Sequence, residues 1–162
     1  MADAAYPFTS FNFLVSIAAP SALGLPNPLC DGAFSECDGL EMTMEPKTLR
    51  AGGNNTQQIH LVGPVGYGTL SLKRGMTRDQ NLWVWFSAVA ASPAAPKRLR
   101  GALGSATVKM LDAARQPKVV YQLYDCLPIK LKGAPLNAKD GGVAIEEMQI
   151  AYSHFTIALG PG

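Results

Sequence analysis

Short stretches in which apolar and polar residues alternate recur along the 162-residue chain, and glycine or proline closes most of them. The clearest covers residues 69–74, where Leu70 and Leu72 alternate with polar neighbours before Gly75. In a β-strand every second side chain lies on the same face, and glycine and proline interrupt regular structure. The pattern predicts a domain built mainly from β-strands, and the length agrees with a single domain.

The other predicted strands differ in length and in apolar content. Residues 11–17 place four apolar side chains on one predicted face: Phe11, Phe13, Val15 and Ile17. Residues 36–45 are predicted as one strand with a bend at Gly39, whose second half alternates Leu40, Met42 and Met44 with polar residues. The last strand is predicted to run unbroken from residue 144 to 157. Shorter strands are predicted at 57–62, 106–111 and 118–124, and residues 127–131 continue extended, for roughly seven strands in all.

One segment has helical periodicity instead. Leu82, Trp85 or Phe86, and Val89 recur at the spacing of one helix face. Thr77 and Gln80 match a capping box, which predicts Thr77 as the N-cap and Asp79 in the first turn. The cluster Trp83–Phe86 is predicted to pack in the core. Together these features predict a β-barrel or β-sandwich with one helix laid against it.

Two proline-containing stretches, residues 20–32 and 93–103, are predicted as extended loops. In the first of them the prolines exclude a central strand and leave a loop or an edge arm. Residues 50–55 are predicted as a polar loop of the hairpin or interface type, because no Gly-Lys-Ser/Thr follows the glycine pair to make a phosphate loop. The whole chain, 1–162, is predicted to form one domain with its core at about residues 6–159.

Charged residues make up only 16% of the chain, and 14 basic against 12 acidic residues leave a net charge of +2. This charge is too small for general electrostatic binding of nucleic acid, so no specific nucleic-acid site is predicted. A water-exposed monomer normally carries more charge. The shortfall indicates that other copies or partners cover part of the surface, and open strand edges favour pairing between copies.

No catalytic, cofactor or metal site is predicted. The sequence has no Gly-x-Ser-x-Gly elbow, no His-Glu-x-x-His pair and no Walker loop. Three cysteines at 30, 37 and 126 have neither a disulfide framework nor zinc spacing. Two minor hypotheses stay open: a small-molecule-binding barrel with Trp83 and Trp85 as pocket walls, and a hydrolase that uses Cys126 and His154. The sequence also has no apolar run long enough for a membrane helix and does not open like a secretory signal.

The order of the segments resembles the tail-tube family shared by contractile phage tails and extracellular contractile injection systems. The resemblance begins with Phe-Asn-Phe-Leu-Val at 11–15 and continues through residues 34–40, 50–54 and 70–75. It then covers the helix with its two tryptophans, Tyr-Asp-Cys-Leu-Pro at 124–128 and the strand at 144–157. The resemblance implies hexameric rings that stack into a hollow tube, with four strands of each subunit joining a ring-wide barrel.

The resemblance also implies the partner proteins of the tube and the residues through which its copies contact each other. Its expected partners are copies of itself, a sheath protein, baseplate and tube-cap proteins, and a cargo effector in the lumen. Assembly is expected in the cytoplasm, as part of a phage-tail-like particle, and the runner-up is a phage tube that conducts DNA. Nine residues are expected at the contacts between stacked rings: Phe34, Glu36, Asp38, Gly39, Leu40, Arg50, Gly52, Gly53 and Asn54.

Overall fold

The computed structural model describes residues 12–32, 34–50, 52–53, 56–91 and 103–160. Within them the chain forms twelve β-strands, one 3-10 helix at Ser21–Leu23 and one α-helix, α1, at Asn81–Ala91. The strands in the first half are β1 Phe13–Ala18, β2 Cys30–Gly32, β3 Glu36–Asp38, β4 Met42–Met44, β5 Lys47–Leu49, β6 Ile59–Leu61, β7 Val65–Tyr67 and β8 Thr69–Gly75. Those in the second half are β9 Gly104–Leu111, β10 Pro117–Lys132, β11 Ile145–Ala151 and β12 His154–Leu159. The prediction of a mainly β chain with one helix is confirmed.

Two antiparallel sheets share the long strand β10. The first sheet has the order β2-β1-β9-β10, with β12 pairing the first half of β10. The second sheet has the order β10-β11-β8-β3, and β11 pairs the second half of β10. The strand passes between the sheets at Asp125, whose positive φ of 53° marks a bend in the middle of β10. The two sheets thus face each other across one core.

The core is filled by the inward rows of both sheets. Val15, Ile17 and Leu123 from the first sheet and Leu70 and Ile150 from the second are all fully buried. The predicted inner faces of β1 and β8 are therefore confirmed. In α1, Leu82 and Trp85 are buried against this core and Val89 packs beside them. Trp83 lies elsewhere, 37% exposed, so the helix separates the two tryptophans instead of lining one pocket with them.

Three predicted elements differ from the structure. The strand predicted at 144–157 breaks at Tyr152 and Ser153 into β11 and β12, which pair with different halves of β10. The strand predicted at 36–45 is also two strands, β3 and β4, which belong to different sheets. The predicted N-cap is wrong as well, because the Asp79 carboxylate accepts from the amide of Asn81, at which the helix begins, and Thr77 accepts only from Asp79. Asp79 therefore precedes the helix.

The two predicted loops have different outcomes. Within 20–32 the chain makes the short 3-10 helix and then β2, which is an edge strand paired to β1. This agrees with the edge-arm alternative. Most of the loop predicted at 93–103 lies outside the described residues, as do Phe11 and the basic cluster at 97–100.

Candidate functional site

A two-stranded hairpin, residues 41–68, extends from the sandwich between β3 and β8; we call it the ribbon. β4 pairs with β7 near its base, and β5 pairs with β6 farther out. Every residue of β4, β5 and β6 is exposed. Because a two-stranded hairpin in water is marginally stable alone, the ribbon needs either a firm base or a covering partner.

Each of the two ladders of the ribbon has one apolar side. In antiparallel pairs the directly opposite residues share a face, which places Met42, Met44, Val65 and Tyr67 together in the first ladder and Lys47, Leu49, Ile59 and Leu61 together in the second. The methionine and aliphatic side chains of these two sets are between 43% and 57% exposed. Thr43 and Gly66 lie opposite the first set, and Thr48 and His60 lie opposite the second. We call the side with Met42, Met44, Val65 and Tyr67 the apolar face of the ribbon.

A β-bulge separates the two ladders of the ribbon. From the pair Met44–Val65 to the pair Lys47–Leu61, one strand advances three residues and the other four. An advance of three residues places Lys47 on the face opposite to Met44, and the extra residue in the other strand brings Leu61 to the face of Lys47. Gly63 lies inside this bulge, where a Cβ atom would overlap the carbonyl oxygen of Glu45. Only glycine fits there, which makes the bulge a built feature.

The base of the ribbon is fixed to the sandwich. Gly39 has φ of 96° and passes so close to Thr69 that a Cβ atom would overlap the Thr69 carbonyl. The Tyr152 hydroxyl donates to the Gly39 carbonyl at 2.7 Å. Burial raises the pKa of Tyr152, so the hydroxyl stays a donor. The Tyr67 ring packs edge-on against Tyr152 and Phe155, which makes the apolar face continuous with the core.

An apolar groove opens beside the ribbon's base, where the two sheets do not cover each other. It has a volume of about 160 Å³ and is lined by Phe13, Cys37, Leu40, Val108, Met110 and Tyr121. Desolvation, with a smaller contribution from Asp38, raises the pKa of the Cys37 thiol to about 11. The groove is smaller than the cavities of roughly 300–1,000 Å³ that hold drug-sized ligands, so its size does not favour a ligand pocket.

A buried ion pair ties the helix to the second sheet. Arg74 on β8 and Glu146 on β11 are 7% and 4% exposed and form a salt bridge. Arg74 also donates to the Asp79 carbonyl at 3.0 Å and lies over the Phe34 ring at 5.9 Å. Glu146 accepts from Trp83 Nε1 at 3.2 Å. Both buried charges therefore have an opposite charge and further hydrogen-bond partners, without which their burial would be strongly destabilising.

The predicted contact residues fall into three groups. Arg50, Gly52 and Gly53 lie at the outer end of the ribbon, and all three are exposed. Glu36, Asp38, Gly39 and Leu40 lie at the groove and the ribbon's base. Phe34 is 6% exposed and packs in the core under Arg74, so its side chain faces the chain's own interior. Asn54 lies outside the described residues.

Sequence reasoning missed most of the ribbon. It predicted β6 within 57–62 but not β5 or β7, and it placed Met42 and Met44 on one bent strand with residues 36–38. A signal was present, because Ile59, Leu61, Val65 and Tyr67 keep a period of two across the Gly63-Pro64 break. The break itself hid the pattern.

The residues proposed for hydrolysis are not arranged for it. Cys126 is fully buried, and desolvation raises the pKa of its thiol to about 12, so the nucleophilic thiolate is disfavoured. His154 is exposed and stacks on Tyr124, with its Nδ1 2.9 Å from the Ser153 hydroxyl. Among the described residues no cluster of three or more His, Cys, Asp or Glu side chains could hold a metal ion. No helix of this part of the chain is long and apolar enough to span a membrane.

The comparison with known families decides what kind of chain this is. The family described as "T4-like virus tail tube protein gp19" matches residues 9–156. The chain belongs to this tail-tube family. The match includes the sandwich strands from β1 to β11, the helix and the ribbon, so the ribbon lies inside the family's domain. The resemblance drawn from the sequence is confirmed.

Solved structures agree with the tail-tube assignment. A chain in the cryo-EM structure of the anti-feeding prophage (AFP) baseplate is 25% identical, with a TM-score of 0.80 over 95% of this chain and 97% of that one. A chain of the PVC sheath–tube complex, an extracellular contractile injection system, is 14% identical with a TM-score of 0.76 over 96% and 94%. Hcp1 from Flavobacterium johnsoniae shares the fold at 11% identity and a TM-score of 0.54, over 91% and 96%. No curated protein sequence matches significantly.

Proposed function

We propose that this chain is the inner-tube subunit of a contractile injection system, in which stacked hexameric rings form a hollow conduit for protein effectors. The observation that carries the proposal is the tail-tube family match over residues 9–156, joined to a fold shared with the AFP and PVC chains. The sheath, baseplate and cap of such particles are the expected partners. Assembly in the cytoplasm, as part of a phage-tail-like particle, follows from the same proposal.

Ring closure is assigned to the open edges of the sheets. β12 pairs with β10 on one side, and its Ile157 and Leu159 are 56% and 80% exposed. An exposed edge strand with apolar side chains pairs readily with another chain. In a closed ring every such edge finds a neighbour, which removes the aggregation hazard of the free subunit.

Ring stacking is assigned to the predicted contact residues that reach the surface. Arg50, Gly52 and Gly53 act from the end of the ribbon, and Glu36 and Asp38 act from the edge strand β3. Phe34 and Gly39 support these contacts from within, through the Arg74 contact and the tight crossing at Thr69. In this proposal the chain, 1–162, acts as one domain whose work is polymerisation and not catalysis.

Electron microscopy of the purified chain tests the proposal, alone and after co-expression with its sheath and baseplate partners. The expected result is sixfold rings or tubes with a continuous central channel. Monodisperse monomers under every condition would contradict it. The cargo distinguishes the injection system from the phage tail. Protein in the lumen of purified particles supports an injection system, whereas DNA supports the phage-tail alternative.

A further inference from the structure

The groove is the end of the core that the described part of the chain leaves open. Four of its lining residues come from the first sheet, and the other two, Cys37 and Leu40, come from β3 and the residues after it. In the first sheet the inward row is fully buried at Val15, but Phe13, at the end of the same strand, is only half-buried and lines the groove. An apolar group placed at this end would therefore extend the core.

The chain reaches the groove through the residue that precedes Phe13. The Asn12 carbonyl accepts from the amide of Leu111 at 2.8 Å, and the Asn12 side-chain amide donates to the Asp112 carbonyl at 2.8 Å. These two bonds hold Asn12 against the end of β9, and Met110 of this strand also lines the groove. The segment 1–11 is therefore joined to the described chain at the edge of the groove.

The segment 1–11 has a composition that matches an apolar groove. It contains Tyr6, Phe8 and Phe11, and Asp3 is its only charged side chain. Aromatic side chains carry large apolar areas, and the six residues that line the groove are all uncharged. The sequence predicts Phe11 on the same face as Phe13, and a chain that extends by about 3.3 Å per residue keeps Phe8 within about 17 Å of Phe13.

We propose that residues 6–11 dock in the groove of their own chain, with the rings of Phe8 and Phe11 against its aromatic and aliphatic walls. The groove's volume of about 160 Å³ suits inserted side chains better than a separate ligand. A segment tethered this closely has an effective concentration of about millimolar, which favours it over a free partner. The docked state exchanges with an open one and shields an apolar surface of the free subunit. The contact lies within one chain, so it goes beyond the proposed function and does not depend on it.

Alkylation of Cys37 by iodoacetamide in the unassembled chain measures how often the groove is covered. Cys37 lies in the groove, whereas Cys126 is buried in the core and reports unfolding. The reaction is run at alkaline pH, because the raised pKa of Cys37 leaves little thiolate at neutral pH. Phe8→Ala and Phe11→Ala should each speed the alkylation of Cys37 about three- to tenfold, since each removes an aromatic side chain from the docked segment. Thr9→Ala is the matched control and should leave the rate unchanged, and Cys126 should stay unlabelled in all three variants.

A disulfide tests the same contact by proximity. With copper phenanthroline as the oxidant, Phe8→Cys should form a disulfide with Cys37 within one chain, mapped by mass spectrometry, and the product should disappear when Cys37→Ala is added. Unchanged alkylation of Cys37 in both phenylalanine variants overturns the proposal, and so does a Phe8→Cys disulfide that joins two copies instead of forming within one chain. Failure of the chain to form rings overturns the proposed function alone, because both measurements use the unassembled chain.

Discussion

Met148 in the sandwich and Met44 in the ribbon occupy similar places in alternating strands, yet Met148 is 1% exposed and Met44 is 48% exposed. The difference lies in what stands opposite each strand. β11 faces the first sheet across the core, whereas no element among the described residues forms a second layer over the ribbon. The same sequence pattern thus serves folding in the sandwich and leaves an uncovered surface in the ribbon. Alternation predicts that a face is apolar, and only topology decides what covers it.

The largest expected loss of stability comes from breaking the buried ion pair of the sandwich. Glu146→Ala leaves the Arg74 guanidinium buried without its carboxylate, which typically costs about 3–5 kcal/mol of unfolding free energy. Glu147→Ala, on the outer face of the same strand, is the matched control and should change stability by at most about 0.5 kcal/mol. Urea unfolding of both variants measures the difference. Equal losses would contradict the assignment of the pair as a core element.

The methionine pair compares the two regions directly. Met148→Ala removes a buried side chain and should lower the unfolding free energy by about 2–5 kcal/mol. Met44→Ala removes an exposed one and should stay within about 0.5 kcal/mol in the unassembled chain. Chemical denaturation at low protein concentration provides both values. A large loss for Met44→Ala in the monomer would mean that the ribbon packs on its own chain.

The ribbon's base provides a smaller test. Tyr152→Phe removes the hydrogen bond to the Gly39 carbonyl and should cost roughly 0.5–1.5 kcal/mol. Because that bond fixes the ribbon and not the core, hydrogen exchange should accelerate mainly in residues 41–68. Phe155→Leu, which changes the neighbouring ring without removing a hydrogen bond, is a suitable comparison. Uniform acceleration through the sandwich would show that Tyr152 supports the core instead.

The smallest expected effect is a difference in the alkylation rates of a cysteine in the groove and a cysteine in the core. With a pKa of about 11, Cys37 is about 0.1% thiolate at pH 8, and its alkylation rate should rise about tenfold per pH unit up to pH 10. Cys126, with a pKa of about 12 and no exposure, should stay unlabelled until the chain unfolds. Mass spectrometry after timed labelling measures both. If the two cysteines react at the same rate, the groove is not open in the free chain.

Much of the sandwich could be predicted because its strands obey local rules. Leu70 and Leu72 alternate with polar residues, and the structure buries both. Arg74, two positions farther on, is on the same face but was not predicted as buried, since arginine is rarely buried without a partner. The partner, Glu146, is its cross-strand neighbour in β11, and this long-range register cannot be seen in the local sequence.

The break between β11 and β12 was also beyond local reasoning. Residues 144–157 keep an alternating pattern, but the amide of Ser153 bonds to the Tyr124 carbonyl at the bend of β10. The bend divides one predicted strand between two sheets. The groove could not be predicted either, because its six residues come from distant segments that meet only in the folded chain. Of the contact residues, the sequence indicated the segments but not that Arg50, Gly52 and Gly53 lie at the end of an exposed ribbon while Glu36 and Asp38 lie on an edge strand.

The central claim is that the apolar face of the ribbon exists to be covered by another copy. The most direct measurement compares assembly of Met44→Asp with that of Thr43→Asp by electron microscopy and sedimentation, with circular dichroism to confirm folding. We predict that Met44→Asp folds but forms no rings or tubes, because a charge on the apolar face cannot be buried without a partner. Thr43→Asp, on the opposite face, should assemble like the unsubstituted chain. Normal assembly of Met44→Asp would contradict the account.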